Sequence, residues 1–110
     1  MPLLDEKAIC SLKRIMGQRF GELVTTFESD ASRRLTLIGN AYFDRHMTTI
    51  MTEVHGLKGS CRNIGAELTA TLCQELEQHA REEAIDQIPA VICALQQDVA
   101  AIAAELKAWL

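Results

Sequence analysis

The stretch Met47-Thr48-Thr49-Ile50-Met51-Thr52-Glu53-Val54-His55-Gly56-Leu57-Lys58-Gly59-Ser60-Cys61 has apolar residues at Met47, Ile50, Val54, Leu57 and Cys61, spaced alternately by three and four. That spacing puts all five on one stripe of an α-helix, and a stripe this long must be buried against neighbouring elements. The helix is expected to stop near Asn63-Ile64-Gly65, where glycine can take the left-handed position that ends many helices. Upstream, Ile9, Leu12, Ile15 and Met16 predict a short helix broken at Gly17. Phe20, Leu23, Val24, Phe27, Ala31, Leu35 and Ile38 predict a long second helix. Gly39-Asn40 reads as its stop and Asp44 as a cap for the helix that follows. Downstream, Leu68, Leu72, Cys73, Leu76 and Ala80 predict a fourth helix, and Ile88, Val91, Ile92, Leu95, Val99, Ile102, Leu106 and Trp109 a fifth. Pro89 fits that last helix if it begins near Ile85 or Asp86, because a proline in the first turn has no intrahelical N–H bond to lose. The fold class expected is all-α: an antiparallel up-down four-helix bundle with a short accessory N-terminal helix, residues 1–110 forming a single domain.

Composition supports this reading. The chain has 110 residues, enough for one core, and is 48% hydrophobic with 5% aromatic residues, six Gly and two Pro. A sandwich or barrel would need more aromatic strands and more turns. The net charge of −4 and the absence of a basic cluster argue against nucleic acid as a partner. Asp5-Glu6 stand where a secretory signal would carry base, and no uncharged apolar span reaches 18 residues, so no membrane partner and a cytoplasmic location are expected. Cys10, Cys61, Cys73 and Cys93 show no C-x-x-C spacing and read as reduced thiols.

At about 100° per residue, His55 lies roughly 110° from the centre of the Met47–Cys61 stripe, so its imidazole should face solvent. Thr48, Thr52, Gly59 and Arg62 share that face, and Lys58 lies on its shoulder. Gly56 and Gly59 each cost a helix about 0.5–1 kcal/mol relative to alanine, which calls for an offsetting role. At Gly59 the missing side chain leaves room beside the imidazole for another protein's surface. An exposed histidine, a nearby lysine and an open glycine suit a phosphoryl acceptor. His46 and His79 have no such setting. Cys61 falls on the buried stripe and Ser60 off the histidine's face, so neither pairs with His55 as a nucleophile. No H-E-x-x-H or Cys/His pairing indicates a metal.

The run Val54 to Ala66, V-H-G-L-K-G-S-C-R-N-I-G-A, resembles the signature of the histidine phosphotransfer (HPt) domains of multistep two-component phosphorelays. That signature has His, a variable residue, an apolar residue, Lys, Gly and Ser or Ala, then an apolar-Gly-Ala ending. Phe20 to Ile38 resembles the family's second helix and Leu72 to Glu77 its Leu-rich helix, so the likeness covers nearly the whole chain. The resemblance implies a phosphocarrier without kinase activity of its own, His55 being phosphorylated, Lys58 stabilising the phosphoryl group and Gly59 giving clearance for a docking receiver. Thr48, Thr52 and Arg62 become candidate receiver contacts. The implied partners are receiver domains of a hybrid sensor histidine kinase and of a response regulator. No cofactor, nucleotide or metal of its own is implied, since Mg²⁺ comes with the receiver, and a monomer is expected. Gly56, Cys61 and the 39–44 connection depart from the usual pattern. They motivate an alternative, a binding-only bundle that sequesters a receiver without being phosphorylated. A hydrolase or sensor kinase would need a catalytic pair or a Gly-rich nucleotide-binding region, and the sequence offers neither.

Overall fold

Helical periodicity in the sequence becomes five α-helices in the computed structural model, which describes residues 3–110. They are α1 (Glu6–Met16), α2 (Phe20–Phe43), α3 (Met47–Asn63), α4 (Glu67–Arg81) and α5 (Ile88–Lys107), with single 3₁₀ turns at Gly17–Arg19 and Ile85–Gln87. Helices α2 to α5 form an antiparallel bundle in which each packs on its two neighbours, α2 on α3 and α5, α4 on α3 and α5. Each helix contributes one stripe to the core: Val24, Phe27, Ala31 and Ile38 from α2, Ile50, Val54 and Leu57 from α3, Cys73 and Leu76 from α4, Leu95, Ile102 and Leu106 from α5. The stretch Ile85–Lys107 is apolar and long enough to cross a membrane by composition alone, and here its apolar stripe completes this core.

The accessory helix α1 is tied to the far end of the chain. The backbone N–H groups of Leu3 and Leu4 donate to the Glu105 carboxylate at 3.1 and 3.2 Å, and Lys13 Nζ donates to the Trp109 carbonyl. Asp5 caps α1 by accepting from the Lys7 N–H at 3.0 Å. Ile15, expected on the buried stripe of this helix, is instead 80% exposed, because α1 buries only the face carrying Ile9.

Three of the helix ends share one geometry. After α2, α3 and α4, a residue with positive φ follows the last turn: Arg45 at 59°, Gly65 at 81° and Glu83 at 53°. In each, the next N–H reaches back to the helix: His46 to the Ala41 carbonyl, Ala66 to Cys61 and Ala84 to His79, all at 2.8 Å. This is the Schellman closure. The expected stop at Gly39-Asn40 is therefore corrected, for α2 runs on to Phe43 so that Ala41 can join the core. Asp44 likewise ends α2 rather than capping α3, whose N-cap position is His46 with no side-chain hydrogen bond. On α4 the buried face is Thr69, Ala70, Cys73, Leu76 and Ala80, and Leu68 turns outward at 58% exposure. Helix α5 begins at Ile88 rather than near Ile85 or Asp86, where a 3₁₀ turn stands instead, and Pro89 falls in its first turn as expected.

Gly65 has both a positive φ and a crowded Cβ position, 3.1 Å from the Ala8 side chain, whereas Gly39 is ordinary helix with open space around it. Gly65→Ala should therefore destabilise the fold by about 1–2 kcal/mol, and Gly39→Ala should stabilise it by roughly 0.5–1 kcal/mol. Urea unfolding midpoints of the two variants should move in opposite directions.

Candidate functional site

Complete burial of Ile50, Val54, Leu57 and Cys61 fixes the rotation of α3 and turns His55 outward, its side chain 69% exposed. The imidazole does not stand alone. Across the groove, α4 presents Glu77, whose Oε2 lies 3.6 Å from His55 Nδ1, and whose Oε1 accepts from Lys58 Nζ at 2.9 Å. Arg81, one turn further along α4, approaches the same Oε2 at 3.6 Å. Lys58 and Glu77 are 13% and 16% exposed, so their ion pair is largely withdrawn from water while the histidine beside it is not. Hydrogen bonding from Lys58 holds the Glu77 carboxyl below its ordinary value against the opposing effect of burial, with further lowering from the charges of Lys58, His55 and Arg81.

A second charged cluster sits behind the histidine's neighbour. Arg34 of α2 donates through Nε to Asp30 at 2.9 Å and through Nη1 to Glu53 of α3 at 3.1 Å. Its guanidinium lies where a Cβ on residue 56 would stand, so Gly56 is the gap through which Arg34 crosses α3. Burial raises the Asp30 carboxyl, but hydrogen bonds from Arg34 and Arg33, the Arg34 charge and a hydrogen bond from Ser60 outweigh it and leave the group lowered. Ser60 Oγ donates to Asp30 at 3.3 Å and so takes part in this cluster rather than in the histidine's.

The residues singled out in the sequence are thus partly brought together. His55, Lys58 and Gly59 lie along one side of α3, and a Cβ on Gly59 would meet nothing within 4 Å. Thr48, Thr52 and Arg62 are exposed on the same helix, Thr52 bonding back to the Thr48 carbonyl at 3.0 Å. Lys58, read as a helix lysine with its charge available, is engaged by Glu77 instead. Cys61 and Cys73 are both buried, and the Cys73 thiol is pushed up by its neighbour Cys61 and by burial, so the pair is poorly suited to nucleophilic work. Sequence reading missed Glu77, Arg81 and Arg34 as parts of the site. The unexplained cost of Gly56 was the available signal for Arg34, and the Glu77-Arg81 spacing of four the signal for α4. Among the described residues no group of three or more His, Cys, Asp or Glu is placed to hold a metal ion.

Chemically, the arrangement offers an exposed nitrogen nucleophile beside a carboxylate, Glu77, that is already paired with Lys58. Such a site suits group acceptance from a partner that brings its own electrophile and counterions.

Comparison with known proteins bears on this chemistry. Residues 22–105 match the model of the Hpt domain. The fold superimposes with a TM-score of 0.90 on the crystal structure of histidine-containing phosphotransfer protein B (HptB) from Pseudomonas aeruginosa PAO1, at 30% identity, over 96% of this chain and 92% of that one. A rice structure described as a histidine-containing phosphotransfer protein gives 0.78 at 22% identity, over 96% of this chain and 79% of that one, a likeness of fold alone. A shorter stretch of 57 residues is 40% identical to the calcium vector protein of Branchiostoma lanceolatum, spanning 52% of this chain and 35% of that protein. The D-x-[DN]-x-[DN]-G pattern of a calcium loop does not occur in this sequence.

The Glu77 carboxylate generates a pH prediction. A carboxyl held below its ordinary value of 4.5 contributes stability that is fully present above that value and is lost as pH falls through the lowered one. Between pH 7 and pH 3 the urea midpoint of the wild type should fall further than that of Glu77→Gln, and parallel falls would remove the assignment. Asp30 titrates in both proteins and cancels in the difference.

Proposed function

The chain belongs to the Hpt domain family, and from that premise and the geometry of α3 we propose that it is a phosphocarrier whose phosphorylated residue is His55. The observation that supports this most is the outward imidazole of His55 on a helix whose opposite face is wholly buried, with Lys58 and the bare surface of Gly59 beside it. A receiver-domain aspartyl phosphate would approach along that face. The imidazole attacks phosphorus in line as a neutral nucleophile, the aspartate carboxylate leaves, and the reverse step delivers the phosphoryl group to a second receiver.

The roles divide by position. Lys58 neutralises charge on the transferring oxygens, which requires it to share or leave Glu77. Gly59 lets the partner's surface close on the histidine. Thr48, Thr52 and Arg62, exposed on α3, line the approach. The receiver brings Mg²⁺, so this chain takes no cofactor or metal of its own. In this reading the whole chain acts as one domain, in the cytoplasm, as a monomer meeting the receivers of a hybrid sensor kinase and a response regulator. The sequestering alternative was motivated partly by Gly56, and the crossing of Arg34 gives that glycine a structural reason that leaves His55 open.

Two substitutions separate carriage from folding. His55→Gln should abolish labelling by a phosphorylated receiver with Mg²⁺, read by intact-mass and peptide mass spectrometry under non-acidic handling. Receiver binding with no phosphate on wild-type His55 would favour sequestration. Gly59→Leu replaces a helix glycine in open space, so its melting temperature should match or exceed that of the wild type while transfer falls by at least about tenfold. Equal losses in both would count against the docking role.

A further inference from the structure

On the side of the bundle away from α3 and α4, the flank of α2 turned toward α5 carries Glu28, Ser32, Thr36, Gly39 and Phe43, which recur at steps of four and three residues. Between this flank and α5 runs a groove of about 550 Å³, with buried Leu35, Val99 and Ala103 in its floor and exposed Ser32, Ala100 and Ala104 along its rims. The two charged residues that line it, Glu28 and Lys107, pair with each other at 2.7 Å, so the groove is neutral in a chain whose net charge is −4. Only 28% of the most apolar stretch of the last helix is buried within the chain, so its apolar character exceeds what the core uses. Large apolar side chains stand in solvent at both ends of the face: Phe43 is 82% exposed at one, and Leu110 is 68% exposed beside Gly21 at the other.

We propose that a second copy of this chain docks on the α2–α5 face, the two copies lying back to back about a two-fold axis that passes near Ser32 and Ala100. Ser32 lies midway between Gly21 and Phe43, about 16 Å along α2 from each. An axis there lays Phe43 of each copy over Gly21 and Leu110 of the other, so the exposed apolar ends cover one another twice. At the axis itself Ser32 and Ala100 are small enough for the helices to approach closely. Neutrality of the face lets two chains of like net charge meet there without repulsion. From Gly21 to Phe43 the face is about 33 Å long and two helix diameters, roughly 20 Å, wide, so the pair would bury on the order of 1,300 Å², at the lower end of specific interfaces and in line with a reversible dimer. A lipid surface fits less well, because Lys107, the cation lining the groove, is already paired. The phosphocarrier reading takes the single chain as the unit that meets a receiver, and the pairing is a reversible second state of that chain. His55, Lys58 and Glu77 lie on α3 and α4, so both sites stay open in it.

Sedimentation equilibrium of the full chain from roughly 1 to 500 μM, the range in which an interface of this size dissociates, should show the mass rise from 12.2 kDa toward twice that value. A mass of 12.2 kDa at every concentration would overturn the proposal. Ala100→Glu sets a carboxylate against its own copy across the axis and should weaken pairing at least about tenfold. Phe43→Ser should weaken it as well, and both positions are exposed, so circular dichroism of the two variants should match that of the wild type. Gln74→Glu adds the same charge on the exposed side of α4 and should leave association as in the wild type. Equal weakening by Gln74→Glu would make net charge the cause, and association untouched by both Ala100→Glu and Phe43→Ser would put the contact elsewhere; either result sinks the proposal. So would a chain that stays monomeric in solution yet floats with phosphatidylcholine vesicles and loses that binding in Ala100→Glu, which would assign the face to a lipid surface. Phosphoryl acceptance per chain should be equal in wild type and Ala100→Glu, and a wild-type His55 that accepts nothing would end the carrier reading while the mass measurements still decide the dimer.

Discussion

The angle at which α3 sits in the bundle governs the rest of the site. Met47, Ile50, Val54, Leu57 and Cys61 bury one stripe of this helix against α2 and α4, and a helix held on one side has no freedom to roll. With that angle set, residue 55 can only point away from the core and toward the α4 side, and residues 58 and 59 can only flank it. The histidine is exposed because its helix is so thoroughly buried elsewhere. No loop, lid or cavity is needed to present it, and the presenting element is as rigid as the core itself.

Charge at the site is arranged around desolvation rather than number. Lys58 and Glu77 lie mostly out of water, where an ion pair loses hydration and regains it only through good geometry. Their 2.9 Å contact provides that geometry. An arriving phosphoryl group would compete with Glu77 for Lys58, so the carboxylate serves as a resident counterion that can be shared when a stronger anion appears. Arg34, by contrast, is committed to Asp30 and Glu53 and has no lone partner to exchange. The two arginine and lysine clusters on either side of His55 therefore have different availability, although both are close to it in the fold.

The helices and their buried stripes were largely legible in the sequence, because burial imposes the three-four spacing directly. The stop after α3 was legible too, since Gly65 advertises a left-handed residue. The matching stops after α2 and α4 were not, because Arg45 and Glu83 take the same positive φ without glycine. A non-glycine residue there pays roughly 1 kcal/mol of strain, which the closing hydrogen bonds and the burial of Ala41 and Ala80 offset, and that balance is tertiary. Gly39, which looked like the better stop, lies mid-helix for the same reason. His55, Lys58 and Gly59 were readable because all three lie on one helix. Glu77 and Arg81 were hidden because their role depends on how α4 packs against α3, and no spacing along the chain encodes it. Leu68, placed on the buried face by its type alone, shows the same limit one turn into α4, where Thr69 takes the core position and bonds to Asp98 at 2.9 Å.

Gly56 and Gly59 weaken the same helix for unlike reasons. Gly56 faces inward and sideways, where α2 sends Arg34 across, and a side chain there would displace the guanidinium and strand the carboxylates of Asp30 and Glu53. Gly59 faces nothing, so the folded monomer gains no contact from lacking a side chain there. A helix retains such a cost for packing in the first case. In the second, no contact within the folded chain offsets it. The first glycine belongs to the fold, the second is open to solvent, and His55 lies one residue from the former and one turn from the latter. His55 thus sits on the boundary between surface that folding fills, where Arg34 crosses α3, and surface that the folded chain leaves open.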